Sequence, residues 1–508
     1  MKNVLLLKGV TPYDAGATYI EEWASVLRKL GCNTCVLDGW SLAMPGWYSY
    51  ILSKYKFDLV LDCNGNLMQY GAPDNLPPEV IYATYCHDHP GALERLKYVD
   101  ERTIVFSLDN RFCSYMDKYL PMIKHREFIP LSGSFYPECV PYGERTTDII
   151  FTGSYRDPEE FRRLARDKME ELGTTERRFL EDVMEDIIVN SQYTLQECFS
   201  RILEKYNCSV SNYELNELVR NYFVIDSYAS AYYRDKMVRT LLEAGLEIHV
   251  FGRGWKNFHS EYKERLIIHK GGAWAARKAL ANAKFALNMM PWFKEGFQER
   301  IASAMLSKTI AVTDESVYIN DKFENGKELI AFSLKDIESL PGRIKYLLSH
   351  PKEAAEIAEN GYRKAQSHTW SVRVHDMVRK IEKDFNIGLM KGGGDEGKEL
   401  ELEMEFPDKK TAVAEALYQL QKMVDVAEND VAEINSLSAT DSDFLMQKFE
   451  KFVRQFSGRI DGMDMSDTIR KSISSPDGDI SKEWLDLFSM QCKALIGRLL
   501  LEEEGLRI

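Results

Sequence analysis

The feature that most constrains this chain is an alternation, run through twice, of short continuous apolar segments with amphipathic helical ones. The first run is Asn3-Val-Leu-Leu-Leu-Lys8, Cys35-Val-Leu-Asp38, Phe57-Asp-Leu-Val-Leu-Asp62, Val80-Ile-Tyr-Ala-Thr-Tyr-Cys86 and Thr103-Ile-Val-Phe-Ser107. The second is Asp148-Ile-Ile-Phe-Thr-Gly153, Glu247-Ile-His-Val-Phe251, Phe285-Ala-Leu-Asn-Met289, Thr309-Ile-Ala-Val-Thr313 and Glu328-Leu-Ile-Ala-Phe332. A strand without polar alternation is buried on both faces, which requires a parallel sheet with helices on either side. The expected fold class is α/β, with two doubly wound domains over 1–145 and 146–385. Such sheets take ligands beyond the carboxyl ends of their strands.

A length of 508 residues suits more than one full-sized core. With 65 basic against 79 acidic residues, the net charge of −14 disfavours a general nucleic-acid or anionic-membrane binder. Small molecules and proteins are the expected partners. The N-terminal apolar run is too short for a signal peptide and no segment approaches a membrane span, so a cytoplasmic location is expected. Nine cysteines, an odd number scattered through the chain, fit reduced thiols. The one CxxC, Cys32-Asn-Thr-Cys35, lacks partners for a zinc site, and no metal is expected.

The polar tips are where chemistry can sit. In the first domain they are Tyr13, Asp14 and Gly16 after the first strand, Asn64 after the third, and His87-Asp88-His89 after the fourth. The last is the densest titratable cluster in the chain: a general base, a turn bonded to its own backbone, or a metal-like pair. In the second domain, Gly252-Arg253-Gly254 would let backbone approach a ligand while a guanidinium clamps phosphate, or else serve only to reverse the chain. Lys270-Gly271-Gly272 is a further tip.

Between about 157 and 233 the spacing of Phe161, Leu164, Leu180, Val183, Ile187, Phe199 and Ile202 predicts a helical insertion, after which a helix is expected over Lys236 to Ala244. Residues 386–400, with Lys391-Gly-Gly-Gly-Asp-Glu-Gly-Lys398, read as a flexible linker. Beyond it, Val413, Leu417, Leu420, Val424, Val431 and Ile434 form an a/d seam, and 401–508 is expected to be a helical bundle, either self-packed or serving dimerisation or partner docking.

The stretch from Glu295 to Thr313 reads as a loop, a helix and a buried strand. Glu295, Glu299 and Arg300 lie at the helix entrance, where free N–H groups and the dipole favour an anion. An ordinary capped αβ unit would look the same.

Glu295-Gly-Phe-(x5)-Ser303-Ala-Met-(x4)-Ile-Ala-Val resembles the donor-site signature of retaining, glycogen-synthase-like GT-B glycosyltransferases, in which two glutamates are separated by seven residues. The first contacts the transferred sugar and the second the ribose; Glu295 matches the first, and Ser303 stands where the second would be. Over roughly 1–385 the chain is similar to the spore-maturation CgeB-like glycosyltransferases, through Tyr85-Cys-His87-Asp88-His89-Pro90, Phe106-Ser-Leu-Asp109, Asp148-Ile-Ile-Phe-Thr-Gly153, Phe251-Gly252-Arg253-Gly254-Trp255, Glu299-Arg300 and Ser367-His368-Thr369-Trp370. Neither the insertion nor the tail is covered.

The resemblance implies a GT-B fold, two Rossmann-like domains facing a cleft, and transfer of a sugar from a nucleotide-diphosphate donor, a UDP-sugar first among candidates, to a protein or surface-glycan acceptor without a metal. It implies donor-binding roles for Gly252, Arg253, Gly254, Lys270, Gly271, Gly272, Glu299, Arg300 and Ser303. Glu295 would hold sugar hydroxyls, His87 and Asp88 would face the reacting carbon, and Tyr13, Asp14, Gly16, Asn64 and His89 would line the acceptor side. A non-catalytic nucleotide-sugar binder and an epimerase are the competing readings.

Overall fold

The computed structural model describes residues 1–8, 15–38, 51–52, 55–134, 138–270, 273–390 and 396–400. All belong to the unit 1–402. Tyr13, Asp14, Gly271, Gly272 and the bundle expected over 401–508 lie outside the described residues.

Six strands form the first sheet: β1 (Asn3–Lys8), β2 (Asn33–Asp38), β3 (Leu59–Cys63), β4 (Ile81–Cys86), β5 (Thr103–Ser107) and β6 (His125–Phe128), ordered β2-β1-β3-β4-β5-β6. The second holds β7 (Thr147–Thr152), β8 (Ile248–Phe251), β9 (Leu266–His269), β10 (Ala283–Leu287), β11 (Ile310–Asp314) and β12 (Ile330–Phe332), ordered β12-β11-β10-β7-β8-β9. All pairings within both sheets are parallel. The chain reverses direction of sheet growth at β1/β3 and at β10/β7, the crevices where doubly wound folds take ligands. Two doubly wound sheets facing one cleft make this the GT-B arrangement.

Central strands match the sequence expectation because both faces are covered: β3, β4 and β5 are buried at every position. β6 and β9 were not foreseen. They are edge strands, only partly covered, and His125-Arg-Glu-Phe128 therefore carries no apolar run to betray it.

The main helices are α1 (Ala15–Lys29), α2 (Asn110–Tyr119), α3 (Pro158–Asp167), α4 (Thr174–Val189), α5 (Leu195–Lys205), α6 (Asn212–Asn221), α7 (Val224–Glu243), α8 (Ala273–Leu280), α9 (Glu299–Leu306), α10 (Val317–Lys322), α11 (Leu340–Ser349), α12 (Pro351–Ala365) and α13 (Trp370–Phe385). Where sequence spacing put a helix start at Lys236, α7 is continuous from Val224. Its apolar face changes partway: Ile225 and Ala229 pack in the core of the insertion, Met237, Val238, Leu241 and Leu242 in that of the second sheet. No single stripe runs its length, so periodicity broke the helix in two.

Contacts along α13 and at Gly133 help to fix the halves to each other. α13 crosses back to the first sheet, with Trp370 against Tyr19, Trp23 and Tyr85 at ring separations of 5.0, 5.4 and 6.4 Å, and Asp384 3.0 Å from His125. The connecting backbone at Gly133 lies flat on α9, closely enough that a Cβ there would come within 2.4 Å of the Ser303 nitrogen. One apolar cluster consequently runs from Val4, Leu6 and Trp23 through Leu131 to Ile301, Met305, Trp370 and Ile381.

The insertion also touches the first half. Glu197 of α5 pairs with Arg111 of α2 at 2.8 Å, Tyr115 Oη donates to Asn216 at 2.7 Å, and Arg220 reaches Glu94 at 3.4 Å. Residues 396–400 run beside β2, with Leu400 N–H donating to Thr34 O at 2.7 Å. Leu389 is buried, so the segment expected to be a flexible linker is anchored on both sides of 391–395. Among the described residues no helix is long and apolar enough to cross a membrane.

Candidate active site

A cleft of about 620 Å³ opens between the sheets. Its second-domain wall begins at the β10/β7 reversal. β7 delivers Thr152, Gly153 and Ser154, and β8 delivers Gly252, whose φ of +143° and approach to Gly153 O admit no side chain, a Cβ falling 2.5 Å from that oxygen. α9 then contributes Gln298, Glu299, Arg300 and Ser303.

Arg300 is braced from three sides. Its Nε donates to Asn288 Oδ1 at 3.0 Å, Nη1 to Thr152 O at 3.1 Å and Nη2 to Gln298 Oε1 at 2.8 Å. Burial lowers its pKa, partly offset by Glu299. Arg234, from the middle of α7, lies beside it: Nη1 donates to Ser154 O at 2.5 Å, while the buried Nε has no partner among the described residues. Burial, then the charges of Arg300 and Arg156, push its pKa down to about 9. Arg156 completes the group from the loop after β7. Two further guanidinium groups that disfavour the charge on Arg234 leave a wall where an anion would be welcome.

The first-domain wall is the tip of β4. Asn64, in a left-handed conformation with φ 55°, accepts the His87 N–H at 2.7 Å and donates to Asp88 Oδ2 at 2.8 Å. It braces the tip and does not itself line the cleft. His87, Asp88 and His89 do line it. Burial lowers the His87 pKa to about 4 and that of His89 to about 3, and raises that of Asp88. Both imidazoles are neutral near pH 7; among the described residues the buried Nε2 of His87 has no hydrogen-bond partner, while the Gln196 side chain lies beside His89. His89 is held by the Gly91 N–H, donated to its Nδ1 at 3.0 Å, and by the rings of Phe112 and Tyr115 at 4.7 and 4.5 Å.

The floor joins the walls. Ser303 Oγ donates to Glu299 Oε1 at 2.8 Å and accepts the Ser134 N–H at 3.2 Å. Ser134 Oγ in turn donates to Glu22 of α1 and accepts from Arg277 Nη2 at 2.8 Å. Ser303, the residue in the expected glutamate place, thus fixes the Glu299 carboxylate and the interdomain backbone together. A longer side chain would have to enter the space where Gly133 meets α9.

The structure therefore brings together His87, Asp88, His89, Gly252, Glu299, Arg300 and Ser303. It places others apart. The Glu295 carboxylate is outside the cleft wall, accepting from Arg111 Nε at 3.1 Å and Asn110 Nδ2 at 2.8 Å, while its own N–H donates to Asp109. Arg253 is exposed, Gly254 turns the chain with φ +86° into Trp255, and Lys270 follows β9; none of the three lines the cleft. Gly16 falls in the first turn of α1. Cys32 and Cys35 are buried, with thiol pKa values pushed up to about 11 and about 12 by burial, a core pair.

Sequence reasoning missed Arg156, Arg234, Arg277 and Tyr19, and the insertion's part in the wall: Phe161, Thr194, Leu195, Phe223, Asp226, Ser227 and Ser230. One signal was present, since 223, 226, 227, 230 and 234 share a helical face.

Residues 234–379 match a family model described as glycosyl transferase-like. The matched stretch opens on Arg234 and contains Gly252, Glu299, Arg300 and Ser303. No curated protein sequence matches the chain. Among solved structures, a sucrose-phosphate synthase from Thermosynechococcus elongatus overlaps 76% of this chain and 100% of its own at 12% identity, with a TM-score of 0.41. HepE of Anabaena, solved with UDP and glucose, overlaps 75% and 100% at 10% identity and a TM-score of 0.44. A DNA-modifying β-glucosyltransferase, solved with and without uridine diphosphoglucose, overlaps 75% and 100% at 12% identity and a TM-score of 0.42. These overlaps are loose, and the site stands on its own residues.

Proposed function

We propose that the cleft transfers a sugar from a nucleotide-diphosphate sugar to an acceptor hydroxyl. The observation that carries this is the convergence of Arg156, Arg234 and Arg300 on one wall, beside the Gly153-Ser154 and Gly252 backbone, opposite a tip that carries two neutral imidazoles and a carboxylate. In such a reaction the bond from the anomeric carbon to the terminal phosphate oxygen breaks, and the carbon bonds to the acceptor oxygen. The charge that grows on the diphosphate is what fixed cations in a water-poor cleft stabilise. The acceptor proton leaves to a base, a role this reading gives to His87, neutral at physiological pH, or Asp88, both of which line the cleft. If the sugar configuration is retained, the leaving phosphate takes the proton instead.

The resemblance in the motifs favours a CgeB-like enzyme, a UDP-sugar donor and a protein or surface-glycan acceptor, and the short N-terminal apolar run favours a cytoplasmic setting. Thermal unfolding with UDP, GDP and dTDP tests the reading first: at 100 times Kd a ligand adds about 2.7 kcal/mol, a shift of several degrees. Release of free nucleoside diphosphate from the matching labelled sugar nucleotide then tests turnover. A chain that none of the three nucleotides stabilises would refute the proposal.

A further inference from the structure

α7 starts in the insertion and ends against the second sheet, and one of its faces crosses the cleft. Phe223 at its N-cap, then Asp226, Ser227, Ser230, Ala231 and Arg234, all line the cavity. They recur at three- and four-residue steps, so they form a single stripe.

The stripe has a direction. At one end Arg234 holds Ser154 O in the second domain, within the guanidinium group. At the other, the Phe223 ring lies 5.9 Å from that of His89 in the first domain. At 1.5 Å per residue, Ser230 stands about 6 Å from Arg234 along the axis, and Ser227 and Asp226 about 11 to 12 Å. The helix thus runs from the cationic group to the imidazoles, and its polar residues lie between.

Those residues are uncommitted. Among the described residues, neither the Ser227 and Ser230 hydroxyls nor the Asp226 carboxylate takes a hydrogen bond from the protein, although each lines the cavity. Burial raises the Asp226 pKa to about 6, with the charge of Lys294 acting the other way. Lys294 itself is committed to the Ser191 and Pro291 carbonyls. Two hydroxyls and a carboxylate without partners, spaced along a line that leaves a phosphate site, match a polyhydroxylated ring attached to that phosphate.

We infer that this face of α7 is the sugar-selecting surface of the site: Ser230, Ser227 and Asp226 take hydroxyls of the transferred ring, and Phe223 flanks the acceptor beside His89. The inference rests on the glycosyltransferase reading and deepens it. It also gives the insertion a task, choosing the sugar, that the matched segment beginning at Arg234 leaves unassigned.

Calorimetric titration of UDP, GDP and dTDP, and of UDP-glucose, UDP-N-acetylglucosamine, GDP-mannose and dTDP-glucose, into the full chain and into Asp226→Asn and Ser230→Ala tests it. Both substitutions are small, and unchanged binding of the bare diphosphate serves as the folding control. The expected result is a loss of tenfold or more in affinity for the preferred sugar nucleotide, with affinity for its nucleoside diphosphate within twofold. An equal change for both ligands, or no change for either, overturns the sugar-selecting role and leaves the donor site intact. Wild-type chain that binds none of the seven overturns the functional proposal, and this inference with it.

Discussion

Arg234→Met separates stability from binding at one side chain. The guanidinium is lowered from its ordinary 12.5 to about 9 by burial and by Arg300 and Arg156. At about 1.4 kcal/mol per unit that environment disfavours the charged form by roughly 4 to 5 kcal/mol. The side chain is not wholly shielded from solvent, and screening leaves on the order of 2 kcal/mol of this as real strain. Methionine removes the strain and keeps the packing against Phe151, whose ring centre is 5.5 Å from the guanidinium carbon. It also removes the bond to Ser154 O, roughly 1.5 to 2 kcal/mol for a charged donor. The terms nearly cancel, and the variant should unfold in urea within about 1 kcal/mol of wild type. Its affinity for a nucleoside diphosphate should fall by about 2 to 4 kcal/mol, roughly 30- to 1,000-fold, because a fixed charge facing phosphate is gone. Urea unfolding and titration calorimetry read the two quantities separately. A variant destabilised by more than about 3 kcal/mol that still binds at wild-type affinity would show Arg234 to be a structural residue and refute the anion-site argument.

Gly133→Ala should lose about 2 to 3 kcal/mol or more in thermal unfolding, since the new Cβ meets backbone of α9 at 2.4 and 2.5 Å and neither side can yield cheaply; an unchanged Tm would contradict the rigid seating of the interdomain segment. His89 gives a pH signature. Its folded pKa of about 3 lies below the unfolded 6.5, so the unfolded chain binds the proton first, and stability is lost as pH falls from 6.5 towards about 3. Between pH 6.5 and 5 this amounts to about 1.7 kcal/mol, which His89→Phe should abolish; equal pH slopes for variant and wild type in urea unfolding would sink the assignment. Glu295→Ala should cost about 1 kcal/mol through its lost contacts to Arg111 and Asn110 and leave UDP-glucose affinity within threefold, whereas a tenfold loss would return Glu295 to the sugar.

The two-sheet architecture was legible in the chain because buried parallel strands must be apolar on both faces, and that demand is local. The tips His87-Asp88-His89, Gly252 and Glu299-Arg300 were legible for the same reason, as polar residues that end such strands or open the helix that follows. Edge strands β6 and β9 were not, since one open side relaxes the demand. α7 was cut short because its buried face changes where it passes from one core to another. Roles that depend on partners far along the chain were out of reach. Glu295 looked like a ligand residue until the fold set it against Arg111, 184 positions away. Arg234 looked like one helical arginine among many until it met Ser154 and Arg300. Ser303, an anomaly as a letter in a motif, became the bond that holds Glu299 and Ser134 together. Sequence by itself determined which buried central segments are strands and where their tips are, because burial acts residue by residue. Tertiary structure alone decided which charges face each other, because electrostatic energy depends on distances through space that the order of residues does not contain.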